Sequence, residues 1–139
     1  MENKSPKGFP QSVHMTPGGF HSFEHRWALD EAFTFHQTIG KSKVTQRLSE
    51  LSQQLKQGLA TMPNVTLQTP MSQDLSAGIV CFEVAGLAPR TVVEKLGQRG
   101  IVGSVAPYAT KYVRLAPTLI NSPGEIDRTL AEIRNLRSA

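Results

Sequence analysis

The sequence predicts an α+β fold, in which a mainly antiparallel sheet of about four strands carries helices on one face and a long helix comes early in the chain. Three observations predict it. Residues 42–62 carry one apolar stripe at spacings of three and four residues, as an amphipathic helix does. Residues 78–84 are apolar on both faces, which is typical of a central strand. Strand pairs alternate with single helices along the rest of the chain, which favours a layered arrangement of sheet and helices.

The first part of the chain is predicted as a flexible tail or linker, residues 1–22, followed by a folded domain, residues 23–139. The tail is rich in Pro, Gly, Ser and Lys and lacks periodicity. A helix rich in aromatic residues is expected over 23–39, and Gly40 stops or bends it. The long amphipathic helix follows and ends at Pro63.

Turn residues and alternating apolar residues define the remaining elements. In order, they are a strand at 65–69, a loop at 70–77, the central strand, a helix from Pro89 to a capping Gly100, strands at 101–105 and 112–116, and a final helix from Pro123 to about Leu136. The final helix has a clear start. Ser122 is the expected N-cap, Pro123 suits the first helical position, and Glu125 closes a capping box.

Composition limits the classes of function. The 139 residues carry a net charge of +4 with Lys and Arg spread along the chain, so no nucleic-acid interface is predicted. The chain has no run of about 18 apolar residues, and its N-terminus lacks the apolar segment of a signal peptide, so no membrane span is expected. Cys81 is the single cysteine. An intrachain disulfide framework is therefore excluded, and a cytoplasmic location is the default expectation.

Arg114 is the strongest candidate for a functional residue. It interrupts its strand on the face opposite Val113 and Leu115. Its guanidinium keeps its charge and needs an anionic partner, and its planar fork matches a carboxylate with two parallel hydrogen bonds. The residues alone leave two interpretations open: a receptor for a ligand carboxylate, or a structural salt bridge with Glu83 or Asp127.

The common catalytic and metal motifs are missing from the sequence. His21 and His25 have the spacing of one helix face, but no third ligand stands at a convincing distance, so no zinc site is predicted. Cys81 sits mid-strand among apolar neighbours, where a cysteine is normally an inert small hydrophobe. The chain has no phosphate loop, dinucleotide fingerprint or serine nucleophile elbow.

The order of elements and several motifs resemble the C-terminal small domain of class V aminotransferase-fold enzymes, which depend on pyridoxal phosphate. The chain looks most like the isopenicillin N epimerase-like and cysteine desulfurase-like branch, over about Gly18 to Leu136. The motifs that carry the resemblance are Gly18-Gly19 before Glu24-His25-Arg26, the stripe Leu48, Leu51, Leu55 and Leu59, the segment Ser76-Ala77-Gly78-Ile79-Val80, Leu96 with Gly100-Ile101, and Val113-Arg114-Leu115 followed by Asn121-Ser122-Pro123-Gly124-Glu125-Ile126-Asp127.

The resemblance implies substrate-binding roles for two residues. The family's arginine at the position of Arg114 binds the substrate carboxylate, and Asn121 matches a recurrent asparagine of the same motif, although a turn or cap role explains Asn121 equally well. The family's large domain, which carries the cofactor lysine, has no counterpart in this sequence. No cofactor is therefore expected to bind this chain alone, and no catalytic residue is assigned. The loop from Gly103 to Lys111 also lacks the nucleophilic cysteine of desulfurases.

These considerations lead to three functional hypotheses. In the first, the chain is the small domain of a pyridoxal-phosphate-dependent enzyme, inactive alone, whether Met1 marks a truncation or a natural start. In the second, it is a stand-alone interaction module that dimerises. In the third, it binds a small amino or keto acid through Arg114. The expected partners are a second copy of the chain, a separate large cofactor domain, or such an acid, with no nucleic acid and no membrane.

Overall fold

The structure, a computed structural model, describes residues 23–136. The predicted tail, residues 1–22, lies outside the described residues, so the domain boundary at residue 23 stays a prediction. The chain divides into two compact units, Met1–Thr38 and Ile39–Ala139. The helices and strands are α1 (Phe23–Ile39), α2 (Lys41–Ala60), β1 (Val65–Leu67), β2 (Val80–Val84), α3 (Pro89–Gly97), β3 (Ser104–Val105), β4 (Val113–Leu115) and α4 (Pro123–Arg134).

This order confirms the predicted α+β fold. Within the described residues, the four strands form one sheet in the order β1-β2-β4-β3, and every neighbouring pair is antiparallel. Strands β2 and β4 are therefore the interior strands. Helix α2 packs on β1 and β2, helix α3 packs on β2, β3 and β4, and helix α4 packs against α2.

Among the described residues, the hydrophobic core lies on one face of the sheet. In β2 the buried side chains are Val80, Phe82 and Val84, and the half-buried Cys81 and Glu83 alternate with them. The expectation that this strand is apolar on both faces was therefore wrong. Because helices cover one face, only alternate residues need to be apolar.

The third predicted strand is much shorter than expected, and the turn before it explains why. Gly100 has a φ of 75°, and the N–H of Ile101 donates to the carbonyl of Leu96 at 3.0 Å while the N–H of Gly100 donates to Gly97 at 2.9 Å. This pair of hydrogen bonds is a Schellman motif, which ends α3. The prediction that Gly100 caps this helix is therefore confirmed. Ile101 is used to close the helix, so strand pairing starts only at Ser104.

The capping box of α4 is confirmed in both directions. Ser122 Oγ accepts from the N–H of Glu125 at 3.2 Å, and the N–H of Ser122 donates to Glu125 Oε2 at 2.7 Å. These hydrogen bonds from Ser122, its backbone N–H first, lower the pKa of Glu125 below its ordinary value. The box fixes the direction in which the chain leaves β4 and enters α4.

Helix α2 contains a buried lysine that the sequence analysis did not identify. Lys56 is fully buried, and its Nζ donates to the carbonyls of Pro70 and Met71, both at 3.1 Å, and to Ser76 Oγ at 2.7 Å. Three acceptors satisfy the three N–H groups of the ammonium. Lys56 therefore anchors the loop between β1 and β2 to the helix that supports the core.

We expect Lys56→Met to lower the free energy of unfolding by about 1–3 kcal/mol, because a methionine keeps the volume but leaves three oxygens without their donor. The variant should also be cleaved faster between residues 70 and 76 in limited proteolysis. Gln57→Met is the matched control, because Gln57 is the next residue on the same helix and is exposed. Unchanged stability and cleavage in Lys56→Met would show that water replaces the anchor without cost.

The contact between α2 and α4 needs a glycine. A Cβ on Gly58 would come within 3.0 Å of Leu130 Cγ, and closer still to both of its methyl carbons. Leu130 belongs to the buried core, so it has little room to move. By contrast, a Cβ on Gly97 in α3 would meet nothing within 4 Å.

These two glycines provide a paired test of the packing. Gly97→Ala should raise the free energy of unfolding by up to about 1 kcal/mol, because alanine is the better helix former. Gly58→Ala should lower it by about 1–3 kcal/mol, because overpacking outweighs the same gain in helix propensity. Urea unfolding of both variants measures the difference. Equal stabilisation of the two would mean that α2 and α4 do not pack closely at Gly58.

Candidate functional site

Arg114 lies on the open face of the sheet, in the middle of the interior strand β4. Its neighbours Val113 and Leu115 are buried in the core, and Arg114 itself is half-buried on the opposite face. In the antiparallel register it stands directly opposite Cys81 of β2 on one side and Ser104 of β3 on the other. Residues directly opposite in such a ladder share a face. The three side chains therefore form a row across the sheet: Ser104, Arg114, Cys81.

The guanidinium of Arg114 makes one hydrogen bond, to a neighbour in this row. Its Nε donates to Ser104 Oγ at 2.9 Å. In the part of the chain that the structure describes, no carboxylate lies within 4.0 Å of Arg114. The side chain is thus held at its Nε, while its Nη1 and Nη2 atoms have no protein partner among these residues.

The two carboxylates considered as salt-bridge partners are engaged elsewhere. Glu83 Oε2 accepts from Gln68 Nε2 at 2.8 Å on the same sheet face. Asp127 Oδ1 accepts from Gln54 Nε2 at 2.7 Å, in the contact between α2 and α4. Neither forms the structural salt bridge with Arg114 that the sequence left open. The charge of Arg114 therefore has no carboxylate partner among the described residues.

This arrangement can bind a carboxylate. Four N–H groups remain on Nη1 and Nη2, in the planar geometry that pairs with two carboxylate oxygens. The site is half-buried, so a bound anion would be less screened than one paired with a fully exposed arginine. Ser104 was missed by the sequence analysis, because nothing local connects it to Arg114; only the pairing of β3 with β4 brings them together.

Asn121, the second residue predicted to bind substrate, stabilises a turn. Its Oδ1 accepts from the N–H and the hydroxyl of Thr118, at 2.9 and 3.0 Å, and its carbonyl accepts from Arg47 at 2.9 Å. It also lines a cleft of about 390 Å³ beside α4, which Arg114 does not line. The geometry supports the turn role, and the structure does not bring Asn121 and Arg114 into one pocket.

The other candidates of the sequence analysis give no second site. Among the described residues, no group of three or more His, Cys, Asp and Glu side chains could hold a metal ion. His21 lies outside the described residues. Cys81 is half-buried rather than buried, and its N–H donates to Thr69 Oγ1 at 2.7 Å. None of the helices between residues 23 and 136 is both long enough and apolar enough to cross a membrane.

Comparison with known proteins places this architecture in a family. A family model described as Aminotransferase class-V matches residues 9–105. No curated protein matches the sequence.

Two solved structures of C-DES are similar to this chain. One is the complex between the cystine C–S lyase C-DES and its reaction product cysteine persulfide, with a TM-score of 0.66 and 26% identity over 75% of this chain. The other is a lysine-to-alanine mutant of C-DES with glycine covalently linked to the PLP cofactor, with a TM-score of 0.67 and 26% identity over 76% of this chain. This chain covers 27% of each of those chains, so it spans about a quarter of their length.

Proposed function

Because this chain belongs to the class-V aminotransferase family, we propose that it acts as the small domain of such an enzyme and presents Arg114 to the carboxylate of a small amino or keto acid. The observation that carries the proposal is the state of Arg114. Its Nε is fixed by Ser104, and no described carboxylate pairs with it. An arginine oriented in this way and left without an anion suits a ligand carboxylate.

Arg114 lies outside the residues that the family model matches, which end at residue 105, before β4. Support for its role comes from the geometry of the open sheet face and from the motif Val113-Arg114-Leu115 followed by the capping box of α4. The similarity to C-DES favours a sulfur-containing or other small amino acid as the ligand. The isopenicillin N epimerase-like motifs of the sequence are compatible with an α-amino acid as the ligand. They do not distinguish which reaction the full enzyme would catalyse on it.

The described residues do not fit pyridoxal phosphate as a covalently held cofactor. The lysine of such a site must offer a free amine in a desolvated pocket. Lys56 is the one fully buried lysine between residues 23 and 136, and all three of its N–H groups are donated to oxygens of the loop that follows β1. We therefore propose that this chain is inactive alone and that a cofactor-carrying large domain, where present, completes the site.

We expect Arg114→Ala to keep the fold and lose affinity for pyruvate and alanine by about 10- to 150-fold, the equivalent of about 1.5–3 kcal/mol for a charge-assisted hydrogen-bonded pair. Arg90→Ala is the control, because Arg90 is an exposed arginine on α3 and carries the same charge. Calorimetric titration of both variants measures the difference. A large drop in the melting temperature of Arg114→Ala, or equal weakening in Arg90→Ala, would contradict the proposal.

The second candidate function, an interaction module, is favoured by helix α1. This helix exposes Trp27, Phe33 and Phe35, with 60–70% of each side chain accessible. With Leu29, four large apolar side chains are exposed among the described residues of this one helix, more than the single scattered ones that a soluble surface commonly carries. We propose that a second copy of the chain covers this helix, because two-fold dimers are the commonest assembly. The sequence also predicts Phe20 and Phe23 as part of this exposed aromatic surface, but their side chains lie outside the described residues.

Sedimentation over a concentration series should show a monomer–dimer equilibrium, and Trp27→Ser with Phe33→Ser should shift it toward monomer, because the change removes two of the large exposed aromatic side chains of the helix. Leu75→Ser is the control, since Leu75 is an exposed apolar residue, 74% accessible, on the loop before β2. A wild-type monomer of about 15 kDa at high micromolar concentration would refute self-association and leave a large domain as the expected partner.

A further inference from the structure

We propose that Ser104 is a positioning residue that sets which edge of the Arg114 guanidinium receives a carboxylate. The inference rests on the proposed function, because it concerns the geometry of the same site. A guanidinium offers two edges to a carboxylate: a side edge that uses Nε with one Nη atom, and an end edge that uses both Nη atoms. Ser104 occupies the first of these and leaves the second open.

The hydrogen bond between the two residues carries this inference. Arg114 Nε has one N–H, and it donates that group to Ser104 Oγ at 2.9 Å. A carboxylate that approached the side edge would find one of its two donors already used. The end edge keeps four N–H groups, so a bidentate carboxylate is expected there.

The fold holds Ser104 in place for this role. Ser104 pairs directly with Arg114 in the ladder, and the N–H of Ala106 donates to the carbonyl of Tyr112 at 2.9 Å just beyond the pairing. Before it, Gly103 packs so closely on β4 that a Cβ there would lie 3.0 Å from Leu115 Cδ2 and 3.5 Å from the carbonyl of Arg114. Strand β3 has only two residues, yet it is fixed against β4 on both sides of Ser104.

The other neighbour in the row cannot take this role. Cys81 stands opposite Arg114 on β2, but a thiol is a weak acceptor. Glu83, a carboxylate on the same strand as Cys81, accepts a hydrogen bond from Gln68. Within the described residues, Ser104 is therefore the one side chain that restrains the guanidinium, and its hydroxyl leaves the charge of Arg114 uncompensated for an anion.

The test is proton–nitrogen NMR of the arginine side chains of the whole 139-residue chain, titrated with sodium acetate at constant ionic strength. Low temperature and mildly acidic pH keep these protons visible, and an Arg114→Lys spectrum assigns the Arg114 signals by their loss. In wild type, acetate should shift the Nη signals of Arg114 and leave its Nε signal nearly unchanged. Acetamide, the neutral analogue, should shift neither.

Two variants separate positioning from simple packing. In Ser104→Ala the Nε signal should move with acetate, because its donor is released, and the dissociation constant should rise about threefold, because the guanidinium is less restrained. Ser104→Thr keeps the hydroxyl and should restore the wild-type pattern. A general loss of structure would weaken the response of all the Arg114 signals to acetate and would not make the Nε signal newly responsive.

The outcomes distinguish this inference from the proposed function. If the Nη and Nε signals of wild-type Arg114 both shift with acetate, Arg114 binds carboxylates but Ser104 does not select the edge, and the inference is overturned. If neither signal shifts, the carboxylate receptor itself fails, and the inference fails with it. The wild-type titration alone decides between these results, so the test holds even where Ser104→Ala does not fold.

Discussion

Between Ile39 and Leu136, the helices α2, α3 and α4 bury one face of the sheet, and the rest of this unit depends on that constraint. Burial of Phe82 and Val113 on the covered face forces the residues between the apolar positions onto the other side. The antiparallel register then aligns Cys81, Arg114 and Ser104 across three strands. An arginine can stand in this interior strand because, among the described residues of this unit, its side chain lies on the face away from the core and keeps part of its surface exposed.

The sequence predicted most of the fold because its signals are local. The stripe of leucines, the capping box at Ser122 and the glycine at position 100 each act within one or two turns of chain, and each is found where expected. The errors concern strand ends. A strand stops where its partner stops or where a residue is needed elsewhere, as Ile101 is needed to close α3. Whether such a residue joins a strand or closes a helix is decided by tertiary contacts, which cannot be inferred from the periodicity of the sequence.

The site was less predictable than the fold, for the same reason. Arg114 could be selected from its position in an apolar strand, but its partners could not. Ser104 lies ten residues earlier in the chain. The two glutamines that engage Glu83 and Asp127 lie 15 and 73 residues from them. The sequence pattern assigns Lys56 to the polar face of its helix, and the oxygens that accept its hydrogen bonds lie 14 to 20 residues later in the chain. Hydrogen-bond partners at these separations follow from the folded topology.

Lys56 and Arg114 together indicate how a structural cation differs from a receptor in this chain. Neither forms an ion pair with a described carboxylate. Lys56 has three N–H groups and donates all of them to oxygens, so it has nothing left to offer a ligand. Arg114 has five N–H groups and donates one of them, which restrains its orientation without neutralising its charge. The buried Lys56 uses all its hydrogen-bond donors to stabilise a loop. Arg114 uses one of its donors, so the others remain free to bind a ligand. Half-burial on the sheet, an Nε held by Ser104 and four unused N–H groups together support the proposal that Arg114 binds an anion.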